Sequence, residues 1–141
     1  MKNKSLRLFK INDEFQLSEV VLTEPYILGD ALYGESCLAQ ISPIRYQPLL
    51  DNLKANGIHS TFVLLVDEEG GIKELPLNFI GSFLSQDQLL GDVYVCKVGK
   101  TDFVDMLDRE YDILKTQLLG LIDIITEELS KTDADDLEVL S

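Results

Sequence analysis

One histidine and two cysteines are the residues in this 141-residue chain best suited to nucleophilic or metal chemistry near neutral pH. His59 precedes an apolar run and has no carboxylate or nucleophile at a diagnostic spacing, so a structural place at a strand end outweighs a role as general base. Cys37 and Cys96 form no CxxC pair, and their surroundings match neither a nucleophile elbow nor a cysteine-protease signature. A pocket gathering Cys37, His59 and Cys96 would make a small-molecule sensor or an enzyme, and that is the alternative to a binding protein. One His and two scattered Cys are too few for zinc. Asp67-Glu68-Glu69 lacks the alternating acids and terminal glutamate of a calcium loop, and Gly29 to Gly34 fits no phosphate-binding fingerprint. No catalytic residue, metal or cofactor is expected.

Acidity is the stronger signal. The formal charge is −13, and only part of it lies at the end of the chain. Residues 1–11 carry +4, residues 127–141 carry −5, and the body between them carries −12. Such a field repels nucleic acid and anionic lipid and favours a basic protein partner, with association that weakens as salt rises. Asp102, Asp105, Asp108 and Asp112 follow one another at helical spacing, about 4.5 to 6 Å apart along an axis, which makes them the candidate partner-binding row. The plainer reading of the same row is a solvated helix face that keeps the protein soluble.

The elements that would position these groups form an α+β fold, a mainly antiparallel sheet with one short helix and one long C-terminal helix. Residues 6–11 and 15–23 read as an antiparallel pair around an Asn12-Asp13 turn. Residues 37–41 are compatible with a short strand. Pro48 suits a helix's first turn and Gly57 its stop, so 47–56 is predicted helical. The β-branched run 59–66 is a strand, and the turn Asp67 to Gly71 predicts a hairpin whose second arm is 72–77. Residues 79–90 hold a short helix at most, and 92–98 alternate as a strand.

Thr101 has the chemistry of an N-cap, Asp102 and Asp105 suit the positive end of a helix dipole, and no proline interrupts the chain to Lys131. This predicts a helix of about 30 residues, continuous or broken near Gly120. Leu107, Tyr111, Leu114, Leu118, Leu121 and Ile125 repeat at spacings of four and three and form its apolar stripe. Either the chain's own sheet covers that stripe, or Leu118, Leu121, Ile122 and Ile125 form a homodimer interface of coiled-coil type. Residues 1–131 are expected to be one domain and 132–141 an acidic mobile tail.

With 45% apolar and 26% charged residues the composition is that of a globular protein. The basic start of the chain lacks the features of a secretory leader, and the apolar run 118–125 is too short to cross a bilayer. A cytoplasmic protein with reduced cysteines is expected.

The helix Tyr46 to Asn56, the strand ending Val66-Asp67-Glu68-Glu69-Gly70, the stretch Glu74-Leu75-Pro76-Leu77-Asn78 and Gly91-Asp92-Val93-Tyr94-Val95 resemble a family of small, uncharacterised phage and bacterial domains. The resemblance covers about a third of the chain and implies a mobile-element origin, with no activity to carry over. The N-terminal region and terminal helix are longer than in that family. The expectation that follows is a phage-encoded protein that binds and inhibits a basic host or defence protein, or a bacterial immunity protein or antitoxin facing a basic toxin.

Overall fold

The computed structural model describes residues 5–23, 32–33 and 39–140, with side chains described as far as Ser130. Cys37 lies outside the described residues, and of the stretch 132–140, expected as a mobile tail, only the backbone is described, as part of the last helix.

The chain starts as a hairpin. β1 (Ser5–Ile11) and β2 (Leu17–Thr23) pair antiparallel from Ser5↔Thr23 to Ile11↔Leu17. The Asn12 side chain organises the connection by accepting from the N–H groups of Glu14 and Gln16. Phe15 takes a positive φ of 64° to close it.

β3 (Ala39–Pro43) leads into α1 (Gln47–Ala55), which has a proline in its first turn and ends on Gly57 at φ 76°. β4 (Thr61–Asp67), α2 (Phe79–Ser85), β5 (Val93–Val98), the two-residue β6 (Phe103–Val104) and α3 (Asp108–Leu140) follow. The sheet order is β2-β1-β5-β4-β3, antiparallel throughout, with β6 also paired to β5. This is the expected α+β architecture with its long terminal helix.

Alternation along the strands divides the interior into two layers. Phe9, Ile11, Phe62, Leu64, Val93 and Val95 meet α1, α2 and α3 in the main core. Their neighbours Leu6, Leu8, Leu65, Tyr94 and Cys96 form a smaller core on the other face, where Leu32, Tyr33 and Phe103 pack against them. Both faces of β1 and β5 are therefore buried.

Asn78 ties α2 to the end of β1 and to the turn before β5. It caps α2 by accepting from the Gly81 N–H at 2.9 Å, and its Nδ2 donates to the Ile11 and Gly91 carbonyls, both at 2.8 Å. It is fully buried with its polar groups satisfied.

Two expectations are corrected. The stretch 72–77 forms no second arm beside β4; residues 68–74 run in turns, and Leu77 makes an isolated bridge to Leu90. The reason is that β3 and β5 already occupy both edges of β4. The terminal helix also begins at Asp108, not near Thr101. Its predicted first turn instead folds back, with the Gly99 N–H donating to the Asp102 carbonyl at 2.7 Å, and β6 pairs as Lys97↔Val104 and Val98↔Phe103. From Asp108 the helix runs through Gly120 without a break.

Candidate functional site

The predicted partner-binding row does not lie on one helix face. Asp102 is in the turn before β6, and Asp105 is in the link from β6 to α3. Asp108 is the first residue of α3 and Asp112 lies one turn further along it, so only these two are in the helix as expected.

Two of the four aspartates are engaged by the chain's own Arg7. Arg7 Nε lies 3.1 Å from Asp105 Oδ1 and its Nη1 2.8 Å from Asp108 Oδ1, while Nη2 donates to the Met106 carbonyl. The guanidinium also sits 5.0 Å from the centroid of the Tyr111 ring, which stacks on Phe9. Burial pushes the Asp105 carboxyl up, but the hydrogen bonds from the Arg7 side chain and backbone outweigh it and hold the group below the usual aspartate range. This corner fastens β1 to the start of α3. Asp112 and Asp123 remain exposed on α3.

A second charged cluster lies around Glu110, which is buried. Its Oε1 accepts from Lys97 Nζ at 2.7 Å and from the Leu107 N–H at 2.8 Å, and its Oε2 accepts from the Ser60 hydroxyl. The bond to Leu107 is half of a capping box, the third helical residue reaching back to the N-cap N–H. Desolvation raises the Glu110 carboxyl, and the bonds from Lys97, Ser60 and Leu107 lower it further than burial raises it. Arg109 reaches the other way, donating to the Asn56 carbonyl at the end of α1. Glu110 joins the residue before β4, β5 and the start of α3 through partners that satisfy it, so it is arranged as a structural anion.

The cysteine and histidine separate. Cys96 is fully buried in the smaller core, and burial pushes its thiol up to about 12. His59 is exposed, beside Ser60, Leu107 and Arg109. The strand partner of Cys96 is Val63, four residues beyond His59, or roughly 13 Å of extended chain. No nucleophile and base meet there. Among the described residues no group of three or more His, Cys, Asp or Glu could hold a metal ion, and no helix is long and apolar enough to cross a membrane.

The predicted dimer residues belong to the interior. Leu118, Leu121 and Ile122 are buried in the main core, and Ile125 packs half-buried against it. The chain's own core, which includes strand residues and Leu49 and Leu53 of α1, covers Leu118, Leu121 and Ile122. Among the described side chains, the large apolar ones that α3 leaves in solvent are Leu119 and Ile124, 43% and 60% exposed.

Arg7, Glu110 and Asn78 were not singled out from the sequence. For Glu110 no capping pattern announces the role, because Leu107 stands where the motif has Ser or Thr, and the bond back to its N–H follows only from a helix that starts at Asp108. The chain matches no protein-family model, no curated protein and no solved structure.

Proposed function

We propose that the chain is a non-enzymatic interaction protein, encoded by a phage, that binds and inhibits a basic host or defence protein. The observation that carries the binding reading is how the fold uses its cations. Arg7, Lys10, Lys73, Lys97 and Lys115 all pair with acids of the same chain. Exposed Glu14, Glu68, Glu69, Glu74, Asp112 and Asp123 stand on a surface whose net charge is strongly negative. A basic protein is the partner such a surface attracts, at rates that fall with ionic strength.

The phage origin rests on the resemblance in the middle of the chain alone. Affinity capture from cells at two salt concentrations tests the partner class. A basic protein retained at low salt, released at high salt and losing its own activity when bound is the expected result. Capture of nothing basic, or of a protein indifferent to salt, defeats the reading.

A further inference from the structure

In an antiparallel strand each residue turns its N–H and C=O to the same side, and successive residues turn to opposite sides. The Arg7 N–H reaches Asp105 on the β5 side of β1, so Phe9 and Ile11 turn that way too, while Leu6, Leu8 and Lys10 turn toward β2. Their partners Leu22, Val20 and Ser18 face back to them. Leu17, Glu19, Val21 and Thr23 therefore turn their N–H and C=O groups out from the sheet. β2 stands at the end of the strand order, and among the described residues no strand pairs with that row.

The opposite edge is built differently. The same alternation, carried through β5 and β4, leaves Ala39, Ile41 and Pro43 facing outward on β3, and proline has no N–H. A short strand ending in proline is one of the ways in which sheets keep an edge from pairing, along with lysines, bulges and unpaired charges. β2 uses none of them. It keeps seven residues in continuous register with β1, without proline or lysine, and its one charge is engaged: Glu19 Oε1 lies 2.6 Å from Lys115 Nζ of α3. Val21, on the same face as Glu19, is 60% exposed.

Two such edges are complementary to each other. A two-fold axis through Val20, normal to the sheet, sets Glu19 of one copy opposite Val21 of the other and Leu17 opposite Thr23, so the outward row of each copy meets the outward row of the other. No like charges stand directly opposite, and Val21 gains cover from the copy. We propose that the outer edge of β2 pairs antiparallel, in this register, with β2 of a second copy and joins the two sheets into one. A single edge is a small contact between two bodies that each carry −13, so the dimer is weak, and salt tightens it by screening their repulsion. That is the reverse of the salt dependence expected for a basic partner.

Sedimentation equilibrium of the full chain from about 10 μM to about 1 mM, with and without added salt, tests this, together with amide exchange at both ends of that range. The mass should rise with concentration, and more steeply in salt. On concentrating, the N–H groups of Glu19, Val21 and Thr23 should gain at least about tenfold protection, while those of Ser18, Val20 and Leu22 are protected throughout. Val21→Pro removes an outward N–H without touching a bond to β1, at an edge position where proline is tolerated, and should weaken the dimer at least about tenfold. Val21→Thr keeps that N–H and should keep the dimer. A monomer at the highest concentration in salt, a dimer that salt dissociates, or a dimer whose outward row exchanges as fast as in the monomer overturns the proposal. Undiminished dimerisation of folded Val21→Pro does the same. The exchange measurement uses the wild-type chain, so it decides the matter even where Val21→Pro fails to fold.

Discussion

The backbone N–H and the Nε of Arg7 both donate to the same carboxylate oxygen of Asp105, at 2.9 and 3.1 Å, across 98 residues of sequence. The bond to the backbone has a topological origin. Continuing the β1–β5 ladder beyond Phe9↔Val95 would set Arg7 opposite Lys97, but Val104 of β6 already pairs with Lys97. Asp105 supplies the acceptor that the interrupted ladder leaves Arg7 without.

Asp105→Ala should therefore cost about 1–2 kcal/mol, since it frees a backbone donor as well as a charge, with the ionic part discounted for partial exposure. Asp105→Asn keeps an acceptor and should cost less. Urea denaturation at pH 7 separates the two, and equal losses would mean that the backbone bond contributes nothing.

Glu110 gives the pH dependence. Its folded pKa is depressed, so its stabilisation is in full force above the ordinary glutamate value of 4.5 and is lost as pH falls through the lower folded value. Glu110→Gln leaves Lys97 without its buried partner and should cost about 3 kcal/mol at pH 7. The gap between wild type and variant should narrow as pH drops below 4.5. Urea midpoints measured from neutral to acid pH check this; a gap that widens toward acid would have the wrong sign.

Asn78→Ala strands the Gly81 N–H and deprives two buried carbonyls of their donor, so a loss of about 3 kcal/mol is expected. Asn78→Asp keeps the helix cap but turns an acceptor toward the Ile11 and Gly91 carbonyls. It should be no more stable than the alanine variant at pH 7, as thermal melts of the pair would show.

Cys96 should be chemically silent in the folded protein. Raising a thiol from 9.0 to about 12 lowers its thiolate fraction at pH 8 roughly a thousandfold, before access is considered. In a Cys37→Ser variant, labelling by a disulfide reagent should proceed only after denaturant is added. Rapid labelling of the native variant would restore the case for a reactive thiol.

Much of the fold was legible because its signals are local. The proline and glycine that bracket α1 act within a turn, and the alternation in β1 and β5 reflects a two-sided sheet whichever strands flank it. The start of the last helix was misplaced for the same reason. Thr101, Asp102 and Asp105 have the chemistry of a helix start, yet the free edge of β5 beyond β1 offers residues 103–104 ladder bonds that no local pattern reveals. Spacings of three and four describe a helix face only where a helix exists, so the acidic row dissolved when Asp102 proved to lie in a turn and Asp105 in the link after β6.

By itself the sequence determined the acidity, the α+β class and the burial of Leu114, Leu118 and Leu121, because charge, periodicity and turn chemistry are properties of neighbouring residues. Tertiary structure alone decided what covers that stripe, which acids meet Arg7 and Lys97, and that Cys96 and His59 stay apart. Those outcomes depend on which strands share an edge and which face each side chain turns to, and these are set by packing between residues far apart in the chain.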